Sequence, residues 1–160
     1  MIPEGFDMTR FWRRVRKGVS CWDWTGSVNP QGYGHIYVEG KMVPAHRFSY
    51  AALVKDIPDG LVIDHQCFNR SCVNPSHLRA VTRRENAENR AGPRKNTGTG
   101  VRGVRFDKVA NRYIAYAGSR GVQHYGGSYR TLGEAASAAV ALRNAVHTNN
   151  TLDRMSAEEG

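Results

Sequence analysis

The stretch DHQCFNRSCVNPSHL, residues 64–78, concentrates side chains that can bind metals or move protons. Asp64 offers an oxygen ligand that suits a hard divalent cation such as Mg²⁺. A neutral imidazole at His65 can accept a proton from water near neutral pH. Because neighbouring residues of a strand point to opposite sides, the two groups need not have the same role. An isolated Asp-His pair is more often a turn carboxylate beside a solvated histidine, so the pair alone is weak evidence for a catalytic site.

A second set of groups in the same stretch is typical of a structural zinc site. Cys67 and Cys72 form a Cys-x₄-Cys pair, at the upper end of the usual spacing for two zinc ligands. The chain has one other cysteine, Cys21, and a histidine close to the pair, His77, so four ligands are available. We therefore predict a zinc ion held by these four residues, with His46 as the alternative to His77. Free thiols are the competing interpretation.

The composition favours an anionic partner. The 160 residues carry 23 Lys and Arg against 14 Asp and Glu, a formal net charge of +9, which makes nucleic acid the first candidate. Three cysteines cannot all pair in disulfides and indicate a reducing compartment. We find no signal-peptide pattern and no apolar run near the roughly 20 residues of a membrane helix. The sequence thus predicts a cytoplasmic protein with no membrane partner and no small-molecule substrate.

Two regions with different patterns are separated by AGPRKNTGTG, which contains turn-forming residues and has no apolar periodicity. The predicted domains are a first domain at 1–92 with its core at 21–90, a linker at 93–100, a second domain at 101–150 and a flexible tail at 151–160.

In the first region, strand patterns occur in CWDWTG, GYGHIYVEG, KMVPAH and DGLVIDH, the last of which ends on the Asp-His pair. Helical spacing predicts an amphipathic helix over residues 9–17 and a second helix over HRFSYAALVKD. A third helix is predicted over 82–90, where Thr82 and Glu85 have capping-box spacing.

In the second region, three short strands are predicted in VRGVRF, RYIAYAG and HYGGSY. An Ala-rich helix follows, and its capping box is formed by Thr131 and Glu134. Residues 91–130 carry eight Lys and Arg against one acidic residue, Asp107, so the basic charge lies on strands and turns and not on the helix.

The string AHRFSY…DGLVIDHQCFNRSCVNPSHLRAVTRRENAENR resembles the HNH (ββα-metal) homing and nicking endonucleases of phages, over residues 21–90. The resemblance implies that His65 is the general base and that Asp64 and Asn86 hold one catalytic Mg²⁺ or Mn²⁺. His77 falls where the family has its middle asparagine, a catalytic-site residue that fixes the loop orienting the base. The letters here run His-His-Asn, so His77 is expected to be a zinc ligand, a loop-orienting residue or both.

Four arginines of this region are candidates for contact with the DNA backbone. Arg47 lies in the helix predicted over HRFSYAALVKD, and the other three, Arg83, Arg84 and Arg90, follow the cysteine stretch. A run of arginines on a solvated helix face is the alternative interpretation.

The string GVRGVRFDKVANRYIAYAG…HYGGSYRTLGEAASAAVALRNAVH resembles the APETALA2/ethylene-response-factor DNA-binding domain, over about residues 98–147. The resemblance implies a sheet that enters the major groove of DNA. The residues then expected to contact DNA are Arg102, Arg105, Arg112, Tyr113, Tyr116 and Arg120. Tyr113 stands where the plant domains usually have tryptophan. An ordinary basic sheet face is the alternative.

Together these features predict an α+β protein: a zinc-clipped ββα-metal nuclease domain, then a small three-stranded antiparallel sheet with one helix. The expected function is site-preferring cleavage of double-stranded DNA by a phage-encoded enzyme acting in a bacterial host, as a monomer or a dimer. Two alternatives stay open, a non-catalytic, zinc-stabilised DNA-binding regulator and a nuclease of phage DNA packaging.

Overall fold

The computed structural model describes residues 7–90, 92, 98–151, 153 and 154. The chain divides into two compact units, Met1–Arg83 and Arg84–Gly160, here called the first and second units. The mixed content of helix and strand agrees with the predicted class. Among the described residues, no helix has the length and apolar character needed to cross a membrane.

The first unit is built from short elements joined by turns. In chain order they are α1 (Thr9–Trp12), β1 (Val15–Lys17), β2 (Trp22–Trp24), β3 (His35–Val38), β4 (Lys41–Pro44), α2 (Ala45–Leu53), β5 (Val62–His65), a 3-10 helix (Pro75–His77) and β6 (Leu78–Val81). The strands form three antiparallel pairs, β1 with β2, β3 with β4 and β5 with β6. The next element along the chain, α3 (Arg83–Glu88), begins at the last residue of this unit.

An aromatic core holds these short elements together. The Phe11 ring lies 5.7 Å from Trp24 and 5.3 Å from Phe48, measured between ring centroids. All three side chains are buried, as is Val73 from the loop after β5. Burial of such large apolar side chains is worth about 1.5–3 kcal/mol each, so this cluster compensates for strands too short to be stable alone. The core therefore fixes β2 and the loop containing Val73 against each other.

The predicted helix over residues 9–17 is wrong in its second half. The helix ends at Trp12, and Val15–Lys17 forms β1 against Trp22–Trp24. The backbone N–H of Thr25 donates to the carbonyl oxygen of Arg14 at 2.8 Å. Pairing with a separate strand satisfies these backbone groups, and such tertiary context overrides a local helical pattern.

The second unit is a three-stranded antiparallel sheet covered by a helix. Its elements after α3 are β7 (Val104–Asp107), β8 (Arg112–Ser119), β9 (Val122–Tyr129) and α4 (Leu132–Val146), and the strand order is β7-β8-β9. The predicted three strands and the capping box between Thr131 and Glu134 are confirmed. Small side chains let α4 approach closely, since Ala135 and Ala139 are fully buried in one cluster with Ala115.

The boundary between the units lies earlier than predicted. The expected division is at residues 92–93, whereas the structure divides the chain after Arg83, so α3 belongs mostly to the second unit. Part of the predicted tail is also ordered, because Asp153 is buried and its carboxylate accepts hydrogen bonds from Arg143 at 2.6 and 3.0 Å. Residues 93–97 of the predicted linker, and residues 152 and 155–160 of the tail, lie outside the described residues.

The close approach of Trp24 to Gly34 gives a test of the aromatic core of the first unit. A Cβ atom at this position would overlap the indole of Trp24, which is buried. We expect Gly34→Ala to lower the free energy of unfolding by about 1–3 kcal/mol, the usual cost of overpacking. Urea denaturation measures the change. Gly133→Ala is the control, since nothing lies within 4 Å of its added Cβ; equal stability of Gly34→Ala and wild type would contradict this packing.

Candidate metal centre and active site

The metal-ligand candidates are brought together by pairing between β2 and the loop at residues 71–73. The N–H of Trp24 donates to the Ser71 carbonyl oxygen at 2.9 Å, and the N–H of Val73 donates to the Trp22 carbonyl oxygen at 2.8 Å. An antiparallel bridge joins Asp23 and Cys72 between these bonds. Cys21, which directly precedes β2, consequently lies beside a cysteine that is distant in the sequence.

Cys21, Cys67, Cys72 and His77 form one cluster. Their ligand atoms all lie within 4.8 Å of one another. The His77 Nδ1 atom is 3.7 Å from the Cys21 sulfur and 3.5 Å from the Cys72 sulfur. A tetrahedral zinc ion with Zn–S near 2.3 Å and Zn–N near 2.0–2.1 Å would separate such atoms by roughly 3.5 Å. The four residues predicted from the sequence therefore fit a structural zinc ion.

Asn74 orients the part of the loop that carries His77. Its side-chain oxygen accepts from the Ser76 N–H at 3.1 Å and thereby caps the 3-10 helix, and its amide donates to the Ser20 carbonyl oxygen at 2.7 Å. The sequence analysis did not single out this residue. The available signal was the Asn-Pro dipeptide, which is typical of a helix start. In the structure Asn74 has the loop-fixing contacts, while His77 lies with the cysteines.

The electrostatics of the cluster favour a bound cation. Burial raises the pKa of the Cys67 thiol, and burial together with the neighbouring Cys67 raises the pKa of Cys72 to about 12. Without a cation these closely spaced thiols therefore hold their protons. A divalent metal binds the thiolate form and releases those protons. The backbone N–H of Asn74, which donates to the Cys72 sulfur at 3.4 Å, stabilises a thiolate there.

His65 has a fixed tautomer at the end of β5. Its Nε2 atom lies 3.1 Å from the carbonyl oxygen of Cys72. A carbonyl oxygen only accepts hydrogen bonds, so Nε2 carries the proton and Nδ1 keeps a free lone pair in the neutral ring. Burial lowers the pKa of His65 below its ordinary value. The imidazole is therefore neutral at pH 7 and has the protonation state of a general base.

His46 packs against His65 and not against the cysteines. The two ring centroids lie 4.7 Å apart, and Tyr33 lies 5.3 Å from His46. Burial, with a smaller contribution from His65, lowers the pKa of His46 to about 3, and its Nδ1 is buried without a hydrogen-bond partner. The structure therefore favours His77 over His46 as the fourth member of the metal cluster.

Asp64 points to the opposite side of β5 from His65, as expected for neighbouring strand residues. It is buried, and its cross-strand neighbour is Arg79 on β6. The guanidinium donates two hydrogen bonds to one carboxylate oxygen, from Nε at 3.1 Å and from Nη2 at 2.9 Å. Arg79 was not among the residues predicted from the sequence. A cation bound at Asp64 would have to share the carboxylate with this guanidinium or displace it.

The remaining predicted residues of the HNH-like region lie at or near helices. Asn86 is exposed on α3 and belongs to the second unit, whereas Asp64 and His65 belong to the first. Arg83 and Arg90 are exposed, and Arg84 forms an ion pair with Glu88 at 2.6 Å. Arg47 is half-buried on α2.

The sheet of the second unit has an outer face, opposite α4. Ala115 and Ala117 of β8 are buried, so the alternating residues Arg112 and Tyr116 lie on the outer face. Arg105 shares that face by its register with β8, and its side chain is 56% exposed. Tyr125, which pairs with Tyr116, is 68% exposed there and was missed by the sequence analysis.

Two of the residues predicted to contact DNA have internal roles. Tyr113, predicted to contact DNA, packs against the buried cluster on the α4 side of the sheet and not on the outer face. Arg102 donates to the carbonyl oxygens of Glu88 and Arg90, both at 2.7 Å, and is half-buried. Arg120 is exposed in the turn between β8 and β9, where its φ is +52°.

Residues 34–88, which contain Asp64, His65 and the Cys67–His77 loop, match the family profile of HNH endonucleases. The matched segment runs past the division between the units and includes all of α3.

Three phage proteins are similar to part of the chain. "Protein 7.7" of Escherichia phage T7 is 43% identical over 68 residues, covering 42% of this chain and 52% of the relative. "Protein 2.8" of the same phage is 38% identical over 69 residues, covering 42% and 46%. The "Uncharacterized gene 5.3 protein" of Enterobacteria phage T3 is 40% identical over 47 residues, covering 29% and 46%. The chain thus spans about half the length of these relatives. No solved structure is significantly similar to it.

The geometry of the cysteine cluster predicts the metal content of the protein. Purified wild-type protein should carry about one tightly bound Zn²⁺ per chain, because four ligands complete a tetrahedral site. Elemental analysis should find zinc lost in Cys67→Ser and His77→Ala. His46→Gln serves as the control and should keep its zinc. Zinc retained in His77→Ala and lost in His46→Gln would reverse the ligand assignment.

Proposed function

We propose that this protein is a phage-encoded, metal-dependent DNA endonuclease of the homing or nicking type, in which His65 is the general base. The observation that carries the proposal is the hydrogen bond from His65 Nε2 to the Cys72 carbonyl oxygen, at 3.1 Å, inside a segment that matches HNH endonucleases. This hydrogen bond leaves a neutral, buried imidazole whose Nδ1 atom is available to accept a proton. That is the state in which histidine activates water.

In the proposed reaction, His65 Nδ1 takes a proton from water, and the resulting nucleophile attacks the phosphorus of a DNA phosphodiester. The bond to the 3′ oxygen breaks, and that oxygen leaves and takes a proton, which gives 5′-phosphate and 3′-hydroxyl ends. Asp64 and Asn86 would hold one Mg²⁺ or Mn²⁺, which supplies charge neutralisation on the phosphate and the leaving oxygen.

The cysteine cluster has a supporting role in this proposal. Cys21, Cys67, Cys72 and His77 would hold a structural Zn²⁺ that ties the loop at residues 66–77 to the residue before β2. Cys72 links the two sites, because its sulfur belongs to the cluster while its carbonyl oxygen accepts from His65. The zinc ion would thereby keep the base in one tautomer and one orientation.

We further propose that the outer face of the second unit reads DNA. Arg105 and Arg112 carry exposed or half-exposed guanidinium groups on one side of a sheet, next to Tyr116 and Tyr125. Arginine makes bidentate contacts with guanine and strong contacts with phosphates. The resemblance to APETALA2-type domains supports the same use of a three-stranded sheet. Arg120 and Arg90 would add backbone contacts.

A non-catalytic DNA-binding regulator is the second candidate function. The two hydrogen bonds that Arg79 donates to one Asp64 oxygen favour it, since a guanidinium already neutralises the carboxylate proposed to bind the catalytic cation. In that case the zinc cluster would stabilise a scaffold, and DNA would be bound without being cut. A cleavage assay separates the two functions.

The proposed general base gives a direct prediction. His65→Ala should reduce DNA cleavage by about 10²–10⁴-fold, the usual contribution of acid–base catalysis, while zinc content and DNA affinity stay near wild type. The assay follows nicking and linearisation of supercoiled DNA with added Mg²⁺ or Mn²⁺. His35→Ala is the matched control, because His35 is a half-buried histidine whose ring hydrogen-bonds the Tyr33 carbonyl oxygen. Cleavage by His65→Ala within a few-fold of wild type would exclude this base.

If the outer face binds DNA, removing its arginines should change how DNA affinity depends on salt concentration. The double substitution Arg105→Ala with Arg112→Ala should flatten the slope of log affinity against log salt by about 0.9 for each DNA phosphate that the variant no longer neutralises. Preference among cleavage sites should weaken as well. Filter binding across salt concentrations and mapping of the cut sites measure both effects. Arg154→Ala, an exposed arginine that lies beyond α4 and is not part of the sheet, controls for the removal of positive charge; if it has the same effect as the double variant, the outer face is not the reader.

A further inference from the structure

The helix α3 is too short to be stable by itself. It has six residues, Arg83–Glu88, and isolated helices shorter than roughly 12–15 residues are marginal in water. The segment that matches HNH endonucleases ends at residue 88, on this helix. The conformation of α3 must therefore come from tertiary contacts, and within the second unit those contacts are made by residues beyond the matched segment.

Glu88 is the centre of these contacts. Its carboxylate is buried and accepts hydrogen bonds from the Thr148 N–H at 3.0 Å, the Thr148 hydroxyl at 3.1 Å and the Asn149 N–H at 3.3 Å. Arg84, one turn earlier on α3, forms an ion pair with the other carboxylate oxygen at 2.6 Å. The hydrogen bonds from residues 148 and 149, together with the Arg84 guanidinium, give the buried carboxylate donors on both of its oxygens.

Three further contacts surround the same helix. The Asn149 side chain donates to the Glu85 carbonyl oxygen at 2.9 Å, and the Thr151 N–H donates to the Asn89 side chain at 3.1 Å. Arg102 donates to the Glu88 carbonyl oxygen at 2.7 Å, and so satisfies one of the carbonyl groups that a helix end leaves unpaired. These partners come from the segment before β7 and from the segment after α4.

We propose that Glu88 is a positioning residue, through which residues 148–151 fix the backbone of α3 and hence the placement of Asn86. This inference rests on the proposed function, in which Asn86 is a ligand of the catalytic cation. Residues outside the HNH-matching segment would then position a ligand of the catalytic cation. A hydrogen-bonded partner that orients a metal ligand typically changes metal affinity by about 10–100-fold when removed.

The test uses full-length Glu88→Gln. This substitution keeps the shape of the side chain but removes the negative charge of the carboxylate, whose oxygen accepts the hydrogen bonds from residues 148 and 149. The Mn²⁺ concentration giving half-maximal cleavage should rise by about 10–100-fold, and saturating Mn²⁺ should restore most of the rate. DNA binding without divalent metal and zinc content should stay at wild-type levels. Hydrogen exchange should become faster in peptides covering residues 83–90.

Glu134→Gln is the matched control, because it removes an exposed carboxylate of the same unit, from the capping box of α4, without touching α3. It should keep the wild-type Mn²⁺ requirement and wild-type exchange at residues 83–90. If Glu88→Gln behaves like this control in both measurements, Glu88 is not a positioning residue. Should Glu88→Gln fail to fold, Asn149→Ala is judged by the same criteria, with a smaller shift expected since its side chain donates to the α3 backbone through one described hydrogen bond.

The failure of this inference differs from the failure of the proposed function. A wild-type protein that cuts no DNA, or an Asn86→Ala variant with the wild-type Mn²⁺ requirement, would remove the catalytic role of Asn86. An active wild type, an impaired Asn86→Ala and a normal Glu88→Gln would instead reject only the positioning role of Glu88.

Discussion

The candidate site of the first unit depends on one backbone pairing, between residues 22–24 and residues 71–73. Two hydrogen bonds and one bridge join these segments. They bring Cys21 next to Cys72, and they leave the Cys72 carbonyl oxygen directed to His65. The aromatic core around Trp24 holds the pairing in place. Without it, the metal cluster would lack a ligand and His65 would lose the acceptor that fixes its tautomer.

Strand alternation explains why neighbouring residues on β5 have such different surroundings. The alternation of a strand directs His65 to the loop and to His46, and directs Asp64 to Arg79 on β6. One side chain is thus buried among neutral aromatic groups, and the other is buried against a cation. A buried carboxylate requires such a partner, while a buried imidazole is neutral and requires only hydrogen bonding.

Short sequence patterns correctly predicted the features that are determined by residues close together in the chain. The strand ending on His65, the three strands of the second unit and the Thr131–Glu134 capping box are determined by short patterns, and the structure contains them. The Cys21, Cys67, Cys72 and His77 set was accessible because cysteines are few. Features that depend on tertiary partners were missed: residues 15–17 form a strand because β2 is available, and Arg79 is needed because Asp64 is buried.

Charge was a poor guide to individual arginines for the same reason. Arg102, Arg105 and Arg143 are all cations of the second unit, but only Arg105 is largely exposed. Arg143 binds the Asp153 carboxylate and the Arg102 carbonyl oxygen, and Arg102 in turn binds backbone carbonyls near the end of α3. A guanidinium has five donors in a planar arrangement, which suits it to join several backbone groups. The net charge of the sequence includes such arginines, although their guanidinium groups donate hydrogen bonds within the protein and stabilise its fold.

The division of the chain after Arg83 has a physical consequence for the matched segment. A polypeptide ending at residue 88 would keep Glu88 but lose the N–H groups and the hydroxyl that its carboxylate accepts from. An ionised carboxylate without these donors must instead be solvated by water. Because α3 is too short to be stable by itself, we expect it to unfold when Glu88 is solvated. Residues 84–90 and 148–151 therefore behave as one structural element, although they are distant in the sequence and only residues of the first range belong to the matched segment. In this chain the segment that matches HNH endonucleases ends inside the second compact unit, so the limits of sequence similarity and the limits of the compact unit do not coincide.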